Sequence, residues 1–122
     1  MEITTALSDA LGRYLDLTSE QMKLTASNMA NVDTPGYRTK GFSFEQAFLQ
    51  QLNDRSGSDG LSAQVPVRDV DGLVSRPDGN NVSMDREGMN LAREQLQFRF
   101  GVELLKDQYS NMMSAIHAEA KQ

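Results

Sequence analysis

Apolar residues recur at alternating intervals of four and three near both ends of the chain, and a polar, glycine-containing segment separates the two stretches. The first stripe comprises Leu11, Leu15, Thr18, Met22, Thr25, Met29 and Val32. The second comprises Leu91, Gln95, Phe98, Val102, Leu105, Tyr109, Met112 and Ile116. This spacing places side chains on one face of an α-helix. The pattern therefore predicts two long amphipathic helices, in residues 1–32 and 83–122.

The C-terminal stretch carries a second apolar flank, which favours contact with more than one partner helix. That flank consists of Leu96, Phe100, Leu104 and Met113. Ser83 is a preferred N-cap residue, and Asp85 and Glu87 in the first turn suit the positive end of the helix dipole. Gly88 and Gly101 each cost a helix about 1 kcal/mol relative to alanine, which indicates either close packing or a weakly stable helix.

Residues 33–82 show a different pattern and are predicted to form a small, irregular segment with short strands. Aromatic residues between 42 and 52 predict a short helix or an extended turn, and the composition of 54–60 predicts a flexible loop. Valines at 65, 67 and 70 predict short strands, with Asp71-Gly72 as a tight turn before Leu73 and Val74. The predicted fold class is therefore mainly α, with the two terminal helices packed as a coiled-coil-like pair around a small β-containing middle.

Residues 26–37 read Ala-Ser-Asn-Met-Ala-Asn-Val-Asp-Thr-Pro-Gly-Tyr, so that a helix end runs directly into a Pro-Gly turn. Pro35 and Gly36 occupy the second and third positions that a type II turn favours. Asn28 and Asn31 are suited to bind the last helical carbonyls or to adopt the left-handed conformation. Taken alone, these residues indicate only a turn that stops a helix.

Composition excludes several classes of function. A length of 122 residues fits about one domain, and a net charge of −5 argues against nucleic-acid binding, which needs a basic face. No apolar run approaches the roughly 20 residues of a membrane span, and the N-terminus lacks the basic start and apolar core of a Sec signal. Cysteine is absent, which excludes disulfides and thiolate metal sites.

No motif predicts catalysis, a cofactor or a bound metal. Asp69-Val-Asp71-Gly72 resembles the start of a calcium loop but lacks a third oxygen ligand before its glycine and a glutamate at the twelfth position. His117, the single histidine, is interpreted as a surface residue. Glu87 and Glu94 lie among arginines on a predicted helix, and such carboxylates are usually solvated and ion-paired. The sequence therefore predicts no catalytic, cofactor-binding or metal-binding residues.

The predicted helices are longer than a compact chain of this size can cover. Helices of about 30 and 35 residues would measure roughly 45 and 50 Å, whereas a compact chain of this length is about 35 Å across. We therefore expect their ends to be disordered in the free chain and helical once they are buried against other subunits.

Residues 26–37 closely resemble the N-terminal signature of flagellar axial proteins, the rod and hook family, whose members share an ANxxTPGY segment after a first helix. Asp78-Gly-Asn-Asn-Val-Ser-Met-Asp-Arg-Glu87, followed by Leu96-Gln-Phe98, resembles the opening of the C-terminal helix in a proximal rod member of this family. The short middle segment agrees with that resemblance, because hook and distal-rod relatives carry much larger inserted domains.

The resemblance implies a non-enzymatic structural subunit of the proximal rod, which transmits torque and lines the export channel for flagellum-dependent motility. It implies export through the flagellar type III apparatus and a place in the periplasmic rod of the basal body. The implied partners are copies of the chain, other rod proteins, the basal adaptor protein, and MS-ring and export-gate components. Nucleic acid and direct lipid insertion are not expected.

The resemblance also implies roles for two sets of residues. The family turn motif, which fixes the exit of the chain from the first helix, comprises Asn28, Asn31, Thr34, Pro35, Gly36 and Tyr37. Packing within or between subunits falls to Leu11, Leu15, Met22, Met29, Phe98, Val102, Leu105, Tyr109, Met112 and Ile116. Two alternatives stay open: a sister proximal rod protein, and a soluble helix-binding adaptor or export-related protein that does not polymerise.

Overall fold

A computed structural model describes residues 5–53 and 65–120, and in these ranges the chain forms three helices and one pair of short strands. In chain order these are α1 (Ala6–Ala30), β1 (Lys40–Gly41), α2 (Phe44–Asn53), β2 (Arg68–Asp69) and α3 (Met84–Ala120). The predicted mainly α class, with two long terminal helices and a small β-containing middle, is confirmed. The flexible loop predicted at 54–60 lies outside the described residues.

Helix α1 begins at a capping box. The Thr5 hydroxyl oxygen accepts a hydrogen bond from the Ser8 amide at 3.1 Å, and the Ser8 hydroxyl oxygen accepts one from the Thr5 amide at 2.8 Å. Two amides that lack partners within the helix are satisfied in this way. Helix α3 begins one residue after Ser83, whose hydroxyl oxygen accepts from the Arg86 amide at 3.3 Å, as expected of an N-cap.

Helices α1 and α3 pack side by side in opposite directions. Three hydrogen bonds mark the register, because they join Thr25 to Glu94, Asn28 to Glu87, and Thr5 to Gln108. The start of α1 therefore lies beside residue 108 of α3. At 1.5 Å per residue, the last 12 residues of α3, 109–120, extend about 18 Å past Thr5, where the described part of α1 starts.

Close packing explains one of the two glycines in α3. A β-carbon at Gly101 would lie 2.7 Å from Cδ2 of Leu15 and 3.1 Å from the Tyr14 ring, so glycine allows α1 to approach there. A β-carbon at Gly88 would meet nothing within 4 Å. The loss of helix propensity at Gly101 is therefore offset by tertiary packing, and the loss at Gly88 is not.

The described residues include few fully buried apolar side chains. These are Leu17 in α1, Ala47 in α2 and Val82 just before α3, so only Leu17 belongs to the two long helices. Thr18 and Thr25 of the predicted stripe are buried, and their hydroxyls donate to the carbonyls of Tyr14 and Gln21 one turn earlier. The apolar members of the stripe, Leu11, Leu15, Met22, Met29 and Val32, are only half-buried.

Helix α2, the short helix that was one of the two predicted alternatives for this segment, covers α1 through an aromatic cluster. The Tyr14 ring meets Phe44 and Phe48 edge-on at centroid distances of 5.3 and 6.0 Å, and the two phenylalanines stack at 6.0 Å. The Arg13 guanidinium donates to the Gln51 carbonyl at 2.9 Å, which holds the end of α2 against α1.

The strands pair differently from the prediction. Strand β2 pairs antiparallel with β1, Lys40 opposite Asp69, and the Lys40 ammonium forms an ion pair with the Asp69 carboxylate. A local hairpin through Asp71-Gly72 is therefore wrong, and residues 73 and 74 form no strand. Val74 is 88% exposed, so a local hairpin would gain little from its burial, whereas β1 offers a backbone held in place by Asn28.

Candidate functional site: a buried polar junction

Two glycine turns lie against each other beyond the end of α1. Gly36 has a φ of +75°, and the Tyr37 amide donates to the Thr34 carbonyl at 3.2 Å; these are the marks of a type II turn. The Gly36 amide donates to the Asp78 carbonyl at 2.9 Å. The turn motif is therefore bonded directly to the segment that precedes α3.

The second turn closes at Gly79, whose amide donates to the Arg76 carbonyl at 2.9 Å. Gly79 has a φ of +86°, and a β-carbon there would lie 3.4 Å from the Gly36 Cα. Both positions thus favour glycine for backbone conformation, and Gly79 also allows backbone to approach backbone. The two segments that resemble axial proteins meet at this point.

Asn28 is the centre of the site and joins four parts of the chain. Its amide nitrogen donates to the Lys40 carbonyl at 2.9 Å and to Glu87 Oε2 at 3.2 Å. Its amide oxygen accepts from the Lys40 amide at 3.0 Å and from the Tyr37 hydroxyl at 2.9 Å. Asn28 is 2% exposed, and both donors and both lone pairs of its amide are used.

These contacts correct the prediction for the helix end. Asn28 binds none of the last carbonyls of α1, because its side chain points to β1 and α3 instead. Asn31 does bind one, since its amide nitrogen donates to the Ser27 carbonyl at 2.8 Å. Neither asparagine adopts the left-handed conformation, because among the described residues only glycines have a positive φ.

Asn80 and Asn81 seal the junction from the other side. The buried Asn80 amide nitrogen donates to the carbonyls of Asn31 and Thr34 at 2.9 and 2.8 Å. The Asn81 side-chain oxygen accepts from the Thr39 amide at 2.6 Å. A residue 49 positions away in sequence therefore binds the carbonyl of Asn31, the C-cap residue that follows α1, which no local pattern reveals.

Glu87 and Glu94 are buried, at 1% and 2% exposure, so the prediction that both are solvated is wrong, whereas the predicted ion pairing is found for Glu87, with Arg86. Glu87 Oε1 accepts from the Arg86 guanidinium at 2.8 Å and its Oε2 from Asn28. Glu94 Oε1 accepts from the Thr25 hydroxyl at 2.9 Å. Burial is the main cause that raises the pKa of Glu94, and the nearby charge of Glu87 raises it further. The hydrogen bond with Thr25 and the charge of Arg93 lower it.

A sequence signal for this burial exists. Counting back from Phe98 at intervals of four and three gives 94, 91 and 87, so both glutamates continue the stripe. The prediction placed Gln95 on it instead, and Gln95 is exposed. The predicted stripe contains the amide of Gln95, whereas the structure places the carboxylate of Glu94 at the interface with α1.

The remaining residues of the turn motif lie at the surface. Thr34, Pro35 and Gly36 are exposed, and the Thr34 hydroxyl donates to the Asn31 side-chain oxygen at 3.0 Å. Tyr37 is half-buried because its hydroxyl reaches Asn28. The structure thus brings Asn28 and Tyr37 together and leaves the turn that connects them accessible.

The predicted packing residues divide into two groups along the helix pair. Those that the single chain covers in part are Leu11, Leu15, Met22, Met29, Val102, Leu105 and Met112. Phe98, Tyr109 and Ile116 are 36, 43 and 51% exposed. An apolar groove of about 230 Å³ lies near the start of α1, lined by Leu7, Ala10, Leu11, Tyr14, Phe48, Phe100 and Leu104.

Chemistry beyond hydrogen bonding has little support in the described part of the chain. Residues 5–53 and 65–120 contain no group of histidine and acidic side chains arranged to hold a metal ion. His117 is exposed on the last turns of α3. Of the helices in these ranges, none has the length and apolarity needed to cross a membrane.

Comparison with known proteins places these features in a family. Residues 15–38, from the middle of α1 through the turn motif, match the family model described as flagella basal body rod protein. The flagellar basal body rod protein FlgB of Borrelia hermsii is 33% identical over 114 residues, covering 79% of this chain and 84% of that protein. FlgB of Proteus mirabilis (strain HI4320) is 29% identical over 119 residues, 84% of this chain and 87% of that protein. FlgB of Bacillus subtilis (strain 168) is 26% identical over 125 residues, covering 95% of this chain and 97% of that protein.

The paired terminal helices, the turn motif and these matches define the class of structural proteins of the bacterial flagellum. Within that class, the chain belongs to the family of flagellar basal body rod proteins FlgB. Its role is structural, in the rod of the flagellar basal body, and the family is not a known enzyme family. The three relatives share the FlgB name, which favours FlgB over the sister proximal rod protein FlgC.

Proposed function

We propose that the chain is a subunit of the proximal rod, which polymerises through its terminal helices, transmits torque and lines the export channel. Membership in the rod family supports the structural role. The observation that carries the polymerising role is the end of α3, which extends past the first described residue of α1 with its apolar face exposed.

The apolar residues on this end would contribute to association. Tyr109, Met113 and Ile116 are 43, 54 and 51% exposed, and full burial of a large apolar side chain contributes about 1.5–3 kcal/mol. A helix end with no packed neighbour is marginal in water, because helical stability in proteins comes mostly from tertiary contacts. Burial against neighbouring subunits would therefore stabilise the helix and join the subunits in one step.

A second exposed stripe favours contact with more than one neighbour. Met89, Leu96 and Phe100 lie on the face of α3 opposite Glu87 and Glu94, and all three are well exposed. Residues 89, 96 and 100 are separated by seven and four positions, which keeps them on one side of a helix. We assign intersubunit packing to both stripes. The predicted packing residues would contribute within a subunit or between subunits; they are Leu11, Leu15, Met22, Met29, Phe98, Val102, Leu105, Tyr109, Met112 and Ile116.

The polar junction would make the subunit stiff. Residues 1–32 and 83–122 would form the rod-core helices, and 33–82 the turn motif and small middle segment. Hydrogen bonds from Asn28 fix how far α1 slides along α3, since they depend on direction as well as distance. A subunit that carries torque needs such resistance, because apolar contacts alone are not directional.

Family membership also supports the proposed location and partners. We place the chain in the periplasmic part of the rod, after export through the flagellar type III apparatus without a cleaved signal. Its neighbours would be copies of itself, other rod proteins, the basal adaptor protein, and MS-ring and export-gate components. No cofactor is involved.

A charge on the end of α3 tests the proposal. Ile116→Glu places a carboxylate on the exposed apolar face, outside all described contacts with α1, and Ser114→Glu places the same charge on the opposite face as the control. We expect Ile116→Glu to keep the circular dichroism of the wild-type chain but to be absent from purified basal bodies, and Ser114→Glu to be present. Normal incorporation and swimming of Ile116→Glu would show that the end of α3 does not drive polymerisation, whereas absence of the wild-type chain itself from basal bodies would support a helix-binding adaptor that does not polymerise.

A further inference from the structure

Hydrogen-bond donors are too few around Glu94. The Thr25 hydroxyl has one proton but two acceptors within reach, the Gln21 carbonyl at 3.1 Å and Glu94 Oε1 at 2.9 Å. Among the residues that the structure describes, Glu94 Oε2 is buried without a hydrogen-bond partner, and so is the side-chain oxygen of Gln21. An ionised Glu94 would therefore be a buried charge that shares a single donor.

A proton on Glu94 removes this shortage. The protonated Oε1 donates to the Thr25 oxygen, and the Thr25 hydroxyl then donates to the Gln21 carbonyl, so both observed distances become hydrogen bonds at once. Thr18 donates to the Tyr14 carbonyl in the same way at 2.8 Å, so this backbone contact is the ordinary one for a buried threonine of α1. Oε2 then becomes a neutral carbonyl oxygen, which is cheaper to bury than half of a carboxylate.

We propose that Glu94 is the neutral acid in the folded chain and donates across the α1–α3 interface to Thr25, so that formation of the helix pair takes up a proton. This makes pairing of the helices sensitive to pH, a property beyond the structural role of the rod.

The charges around Glu94 favour the neutral form. Glu87, on the same face of α3, accepts hydrogen bonds from Arg86 and Asn28, and its charge opposes a second one at Glu94. Arg93 is the cation that favours the charged form of Glu94, and it lies on the exposed side of the helix. From α1, the groups that contact or adjoin Glu94 are the uncharged Thr25 and Gln21.

The contribution of Glu94 to the stability of the folded chain decreases as pH rises. Burial raises the pKa of Glu94 above its ordinary value of 4.5, so its contribution is complete below that value and is lost as pH rises through the pKa of the folded chain. Over that interval, the ratio of folded to unfolded chain should fall by up to tenfold per pH unit relative to a variant that cannot ionise.

Glu94→Gln is that variant, because an amide also donates to Thr25 but does not titrate. We would compare urea unfolding of wild type and Glu94→Gln between pH 4.5 and 8, following helix content at 222 nm. Glu103→Gln is the matched control, since Glu103 lies on the same helix with a side chain that is 64% exposed. We expect Glu94→Gln to gain stability over wild type as pH rises and Glu103→Gln to follow wild type.

A direct titration guards against a variant that folds poorly. In wild-type chain labelled at the glutamate side-chain carboxyl carbon, the NMR signal that is absent from Glu94→Gln should titrate above 4.5. A Glu94 signal that titrates at or below 4.5 would overturn the proposal. A difference in unfolding free energy between wild type and Glu94→Gln that does not change with pH would also overturn it.

Discussion

Replacement of Asn28 by alanine tests whether the junction holds the subunit together. The change removes four hydrogen bonds, two with the backbone of Lys40, one with Glu87 and one with Tyr37. It leaves one buried carboxylate oxygen and the backbone groups of a short strand without their partner. The helix pair would keep its apolar contacts and lose the bonds that set its register.

The magnitude follows from the number and burial of these bonds. A hydrogen bond contributes about 1 kcal/mol net, and more where the remaining partner stays buried or is charged. Lys40 and Tyr37 are half-buried, so water replaces part of what they lose, whereas Glu87 retains only Arg86. We expect Asn28→Ala to lower the free energy of unfolding by about 4 kcal/mol, a large share of the roughly 5–15 kcal/mol typical of domains.

Urea unfolding followed at 222 nm measures this loss, and Asn31→Ala is the control. Asn31 belongs to the same motif, but its two side-chain hydrogen bonds, to Ser27 and from Thr34, are exposed to water. We expect Asn31→Ala to lose about 1 kcal/mol. Equal losses for the two variants, or a loss below 1 kcal/mol for Asn28→Ala, would refute a structural role for the buried network.

Two glycine substitutions give further tests. Gly101→Ala should destabilise the chain by about 1–3 kcal/mol, because its β-carbon would lie 2.7 Å from Leu15 Cδ2, whereas Gly88→Ala should stabilise it by about 0.5–1 kcal/mol. Thermal unfolding of the pair checks this, and a gain for both would contradict the close approach at Gly101. Gly36→Val places a branched side chain at a φ of +75° and should block rod assembly; normal swimming in soft agar would show that the turn tolerates strain.

The sequence predicts the helices well because their signal is local. Leu11 and Leu15 in α1, and Val102 and Leu105 in α3, recur at helical intervals, and Ser83 and Gly36 supply a cap and a turn with known residue preferences. The type of each element therefore follows from neighbours a few residues away. The predicted boundaries at residues 32 and 83 lie two residues and one residue from the observed ones at Ala30 and Met84, whereas α1 begins at Ala6, five residues after the predicted start.

The site is less predictable because its bonds join distant residues. Asn28 contacts Lys40 and Glu87, at separations of 12 and 59 positions, and no local rule pairs them. The strand partner of Arg68 was missed for the same reason, since pairing with residue 41 rather than with 73 or 74 depends on where α1 ends. Glu94 was placed in solvent because ionisable residues are rarely buried, although its position on the stripe indicated otherwise.

The most direct test is electron microscopy of basal bodies purified from a strain that lacks this gene, with and without a plasmid-borne copy. We predict that rods and hooks are missing from the deletion strain and return with the wild-type copy but not with Ile116→Glu. Intact rods and hooks in the absence of the protein would contradict its role as a rod subunit.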